Sequence, residues 1–226
     1  MAPPLVVDID GTMTLPDGGE RERGIDPRAM TALRAWPASV VLATGKAFPY
    51  PVALCAFVGI EEQVIAENGG VVFADDAVRT TGDPEAAWAV AEQYEAEGYD
   101  LGWGVEDVVN RWRETEVAVN RDSPEEPLRR IAAEHGQEVV DTGYAYHVKS
   151  PDVDKGAGLR AICEVLDAGP DEFVAVGDSE NDASTFGVAG RSFAVANADA
   201  SARAAADEML AGAHADGLLE ALDRVR

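Results

Sequence analysis

Two carboxylates stand one residue apart in the segment Asp8-Ile9-Asp10-Gly11-Thr12, directly after a short apolar, β-branched run. Alternation along a strand puts both side chains on one face, so they can share one site. Adjacent acids repel unless a cation or a shared proton intervenes, and an oxygen-only acidic cluster suits Mg2+. Taken alone, the pentapeptide also fits a turn rich in Asp and Gly. A second cluster, Gly177-Asp178-Ser179-Glu180-Asn181-Asp182, again follows an apolar run. Asp178 and Asp182 are one helical turn apart and could face the same metal, while a helix start offers amides to an anion. The alternative is an acidic helix cap held by dipole contacts. The Thr44 hydroxyl and the Gly45 amide can hydrogen-bond a phosphoryl oxygen, and Lys155 can supply a point charge. A lysine at a helix start is out of place for the helix dipole, which favours anions there, and an exposed helix lysine is the alternative reading.

The elements that must position these residues follow from periodicity. Residues 5–9, 39–43, 63–66 and 71–73 read as short buried strands, and residues 26–36 and 50–58 as helices, with Asp26 as a cap ahead of Pro27. A polar turn joins residue 9 to residue 26. Strands alternating with helices imply parallel pairing in an α/β sheet covered on both faces, with ligands beyond the carboxyl ends of the strands. After residue 81 the pattern changes: helix 84–97, strands 99–105 and 114–119, helix 124–135, strands 138–141 and 144–149. This is an α+β unit with a mainly antiparallel sheet. From Lys155 the alternation resumes, with helices 155–166, 181–188, 200–206 and 215–225 and strands 173–176 and 192–195. The chain therefore divides into an α/β core, residues 1–80 and 152–226, and an insert, residues 81–151.

Composition narrows the function classes. With 226 residues, 46% of them hydrophobic, the chain can bury a core in each unit. The formal net charge is -24, and only Lys46, Lys149 and Lys155 are lysines. A field of this sign repels nucleic acid and anionic membranes, so neither is an expected partner. An isoelectric point near 4.3 with so few lysines suits a salt-rich cytoplasm, where counterions screen self-repulsion. Cys55 and Cys163 sit far apart in apolar, helix-like stretches and are expected as buried free thiols. The first residues lack a basic segment followed by a long apolar one, which points to the cytoplasm.

The ordered set Asp-x-Asp-Gly-Thr, Thr-Gly, Lys and Gly-Asp-x-x-Asn-Asp resembles the four motifs of the haloacid dehalogenase superfamily, over the whole chain. The insert between the second and third motifs looks like that superfamily's type C2 cap. Glu67-Asn68-Gly69-Gly70 together with residues 177–182 resembles its Cof-type branch, and the compact cap with the helix after Thr44-Gly45 is similar to archaeal phosphoglycolate phosphatases. The resemblance implies a Rossmann-like α/β core with a smaller α+β cap over the strand ends. It implies that Asp8 attacks phosphorus and that Asp10 protonates the leaving alkoxide and then activates water. Mg2+ would be held by Asp8, the main-chain carbonyl of Asp10 and Asp178, with Asp182 contributing directly or through water. Thr44, Gly45, Lys155 and Asn181 would hold the phosphoryl oxygens. The substrate class is a small phosphorylated metabolite, with 2-phosphoglycolate first, because a small cap leaves little room for a disaccharide. Sugar phosphates, mannosyl-phosphoglycerate and a phosphomutase reaction are the rivals.

One residue departs from the pattern: Lys46 follows Thr44-Gly45, where relatives of this type carry Arg or Asn. Its expected partner is either a substrate carboxylate or solvent. In the insert, Arg111, Arg113, His147 and Lys149 are candidates for reaching the substrate, with Arg111 or Arg113 preferred. Trp103 and Trp112 are expected to fill the core of a small sheet, and His135 and His214 receive no role.

Overall fold

The computed structural model describes residues 2–16, 24–142 and 144–226; the polar turn expected between residues 9 and 26 lies partly outside them. The chain begins with β1 (Leu5–Asp8), every residue of which is buried because strands flank it on both edges. Next comes α1 (Pro27–Arg34), started by Asp26, whose carboxylate accepts the Arg28 amide at 2.8 Å ahead of Pro27. β2 (Val40–Ala43), α2 (Pro49–Val58), β3 (Val64–Ala66), β4 (Val71–Ala74) and β5 (Ala77–Thr80) complete the first part. The insert contains α3 (Pro84–Ala96), β6 (Val117–Asn120), α4 (Glu125–Glu134), β7 (Glu138–Asp141) and β8 (Ala145–Lys149). The chain then returns through α5 (Lys155–Leu166), β9 (Val174–Gly177), α6 (Ala183–Phe186), β10 (Arg191–Ala194), α7 (Ala200–Ala205), β11 (Glu208–Met209) and α8 (His214–Val225).

The eight-stranded sheet runs β11-β10-β9-β1-β2-β3-β4-β5. Its pairings from β11 to β3 are parallel. Apolar residues of α1, α2 and α8 cover one face, and those of α5, α6 and α7 cover the other. Chain order reverses at β1, which lies between β2 and β9, and such a switch point opens a crevice at the carboxyl ends of the strands. The smaller sheet, β6-β8-β7, is antiparallel. Val117, Val119, Tyr146 and Val148 on one of its faces pack against α3 and α4. The fold is thus the expected parallel-sheet core with a cap.

Several local expectations are corrected. β4 and β5 pair antiparallel, because the tight turn at Glu67–Gly69 and the Asp75-Asp76 turn reverse the chain with no crossover helix between. Residues 99–105 do not form a strand. Gly102 and Gly104 sit at φ +82° and +78°, and the Asp100 carboxylate binds the Gly102 amide, so the segment turns repeatedly. The helix expected over residues 181–188 is a single 3-10 turn and the four residues of α6. Trp103 does pack against the cap core, with its indole N–H donated to the Ala118 carbonyl. Trp112 instead stays partly exposed and meets Tyr50 of α2 edge to face. Cys55 and Cys163 are buried free thiols, pushed up to about 12 and about 11 by desolvation.

Candidate active site

Three adjacent strands deliver the chemistry to one crevice. β1 ends at Asp8, β2 ends just before Thr44, and β9 ends just before Asp178. Lys155 enters from the first turn of α5, which Asp154 caps by accepting the Ala157 amide at 2.7 Å. The helix dipole opposes a cation there, and two carboxylates overcome it: the ammonium lies 2.7 Å from Asp8 and 2.7 Å from Asp182, with the lysine 1% exposed. Burial works against that charge, but the Asp182 and Asp8 carboxylates hold the ammonium more firmly protonated than a free lysine.

Ligand atoms of Asp8, Asp178 and Asp182 all lie within 4.8 Å of one another. Asp8 Oδ2 and Asp178 Oδ1 are buried without a hydrogen-bond partner. Burial pushes the Asp8 carboxyl well above the usual carboxylate range; Lys155 pulls it back, while Asp182 and Asp178 push it further up. Asp178 is raised to about 7, first by burial and then by Asp182. Three carboxylates against one ammonium leave two negative charges uncompensated, so orphaned oxygens and charge alike fit a divalent cation bound by oxygen. Gly11 makes the approach possible: at φ +87° it sits so close to Asp178 that an added Cβ would come within 2.0 Å of Oδ2.

The other expected site residues fall around the same crevice with specific partners. Both oxygens of Asp182 are taken, Oδ1 by Lys155 and Oδ2 by the amides of Asp178 and Ser179 at 2.9 and 3.1 Å. It thereby fixes the turn that presents Asp178. The Asp10 carboxylate lies apart from the three-acid cluster and receives the Lys46 ammonium at 2.7 and 2.8 Å. Lys46 keeps 43% of its side chain exposed and lines the cavity, so this pairing adds a partner to the two that were expected, solvent and a substrate carboxylate. The Thr44 hydroxyl accepts the Lys46 amide at 3.1 Å, and the Asn181 amide donates to Asn68 at 3.0 Å. Thr44, Gly45, Asn68, Asn181 and Asp178 line one cavity of about 790 Å³, together with Asp8 and Asp10. Such a volume is more than a two-carbon acid fills, so room alone does not exclude larger ligands.

From the cap, Arg113 and His147 line this cavity, whereas Arg111 lies over the Trp112 ring. Lys149 is committed to Glu138 at 2.6 Å and to the Val153 carbonyl at 2.5 Å. Sequence reasoning missed four participants. Asn197 bridges the Gly11 carbonyl and Asp178 Oδ2 at 3.0 and 3.3 Å, and its own oxygen accepts the His214 amide. His214, in the left-handed region at φ 52°, lines the cavity with Nδ1 buried and unpartnered. Asn68 and the fully buried Glu116 join cap to core through a 3.1 Å hydrogen bond. Asn68 had a signal, since it lies in the Glu67-Asn68-Gly69-Gly70 turn; the other three had none.

The haloacid dehalogenase-like hydrolase family profile matches residues 118–222. A phosphoglycolate phosphatase of Natronomonas pharaonis is 60% identical over 100% of this chain and 99% of its own length. One from Haloarcula marismortui is 55% identical over 97% of this chain and 96% of its own. A crystal structure from Thermoplasma acidophilum superposes with a TM-score of 0.83 at 25% identity, covering 100% of this chain and 98% of that one. The chain belongs to the haloacid dehalogenase-like hydrolase family.

Proposed function

We propose that this protein is a cytoplasmic phosphatase that converts 2-phosphoglycolate to glycolate and phosphate through an aspartyl-phosphate at Asp8. The observation that carries the chemistry is the convergence of Asp8, Asp178 and Asp182, from both ends of the chain, on one cluster with buried Lys155 between two of them. The substrate is suggested by relatives named phosphoglycolate phosphatase that match 97% and 100% of the chain.

In this reading Asp8 is the nucleophile, and Lys155, anchored by Asp182, fixes the orientation of its carboxylate. Asp10 protonates the leaving alkoxide and then takes a proton from the water that attacks the phosphoenzyme, with Lys46 holding its carboxylate at the cavity wall. The Thr44 hydroxyl, the Gly45 main chain, Lys155 and the Asn181 amide take the phosphoryl oxygens. Asp8, the Asp10 main-chain carbonyl and Asp178 would hold Mg2+, with Asp182 behind them, and the bound ion supplies the positive charge that lets two anions approach. Residues 1–80 and 152–226 act as the core and residues 81–151 as a cap whose closure excludes water.

The cavity volume favours one second reading, a sugar phosphate. Phosphate release from 2-phosphoglycolate, sugar phosphates and mannosyl-phosphoglycerate, with Mg2+ and high salt, separates the two. The highest kcat/KM is expected for 2-phosphoglycolate, and a preference for a sugar phosphate would replace it. Release without any acceptor molecule also tells hydrolysis from phosphomutase activity.

A further inference from the structure

A buried polar network crosses from cap to core over the cavity. Glu116 is fully buried, and its Oε1 faces both the Arg113 guanidinium and His147 Nδ1, the latter at 3.1 Å. Its Oε2 takes the Asn68 amide at 3.1 Å, and Asn68 Oδ1 takes the Asn181 amide at 3.0 Å. The Arg113 side chain is 6% exposed and also donates to the Gly45 carbonyl at 3.1 Å, which lays it against the Thr44-Gly45 segment. Its Nε is buried with no partner. Arg113 and His147 both line the cavity.

A buried arginine with an unsatisfied N–H is costly, and Arg113 is retained here on the cavity wall. Lys46, which lines the cavity, is paired with both oxygens of Asp10, and Lys155 is buried behind the wall, held by Asp8 and Asp182. Arg113 shares its one carboxylate with His147, so the cap wall retains donor capacity while Glu116 fixes both side chains. A planar guanidinium fork suits a carboxylate. We infer that Arg113 and His147 form the receptor for the substrate's carboxylate, and that Glu116 is the positioning residue that sets their geometry. This rests on the phosphoglycolate reading and adds to it which residues read the acid group.

The test compares kcat/KM for 2-phosphoglycolate with that for ethyl phosphate, which keeps the ester and lacks the carboxylate. Wild-type protein is expected to favour the acid strongly. Arg113→Lys keeps the charge opposite Glu116 and should lower that preference by about 100-fold, the scale of a mispaired buried charge contact. His147→Asn and Glu116→Gln should lower it by about 10-fold each. In Glu116→Gln the loss should appear as a raised KM for the acid with little change in its kcat, a split that general loosening of the fold would not produce. Thermal melting checks that each variant is folded. A strong wild-type preference that survives both Arg113→Lys and His147→Asn overturns this inference and leaves the phosphoglycolate reading standing. A wild-type ratio near one overturns both.

Discussion

At the scale of single residues, Lys155 determines whether the acids can coexist. Replacing it with Met leaves Asp8 and Asp182 buried without their cation, which costs about 3–5 kcal/mol when one partner of a buried pair is removed. Lys155→Met should therefore melt at markedly lower temperature and lose turnover, and wild-type turnover in this variant would contradict its role. Gly11 makes a sharper geometric point. Gly11→Ala forces a Cβ to within 2.0 Å of Asp178 Oδ2 at a backbone angle that alanine avoids, so Asp178 must move. Titration with Mg2+ should show weakened binding, and unchanged affinity would mean that Asp178 does not hold the ion. Periodicity placed Asp8, Asp10, Thr44, Lys155 and Asp178 at strand ends and a helix start, but each had a plain structural reading by itself, and only their order along the chain, resembling four known motifs, joined them into one candidate site. Glu116 and His147 were not legible as a unit. They stand 31 residues apart, on strands β6 and β8 or just outside them, and only sheet pairing brings them together.

Among the elements, the α/β alternation gave away the core, since a β-branched run followed by an amphipathic helix has few other uses. Two failures have physical causes that single-chain patterning hides. Residues 99–105 carry strand-like apolar residues, but backbone angles at Gly102 and Gly104 turn them into loop. The antiparallel β4–β5 hairpin depends on Asp75 and Asp76, both at positive φ, a conformation that aspartate tolerates better than most residues. The junction between cap and core depends on Glu67, whose carboxylate receives the amides of Glu114 and Thr115 and the Thr115 hydroxyl. Burial raises its pKa despite these donors, which marks a carboxylate held by main-chain contacts in a dry junction. Glu67→Ala strands those donors and should destabilise the protein by about 1–3 kcal/mol or more, read by denaturant unfolding. A variant as stable as wild type would show that the cap is tethered elsewhere.

For the whole molecule, charge is the dominant property. A formal net charge of -24 on 226 residues is self-repelling, and the three lysines are all spent on internal pairs with Asp10, Glu138, and Asp8 with Asp182. No helix among the described residues is long and apolar enough to cross a membrane. Raising salt from about 0.01 M to about 1 M shortens the screening length from ~30 Å to ~3 Å, so the melting temperature should rise across that range. Equal stability at both ends would remove the salt argument and leave the site untouched.

Asp8 is the group proposed to take the phosphoryl from substrate, within an acid cluster suited to a divalent cation. The most direct measurement is phosphate release from 2-phosphoglycolate, with Mg2+ in high salt, by wild-type protein and by Asp8→Asn, alongside their melting curves. The expected result is turnover by the wild type and none above background by a folded Asp8→Asn variant. Turnover by that variant at the wild-type rate would contradict the covalent mechanism.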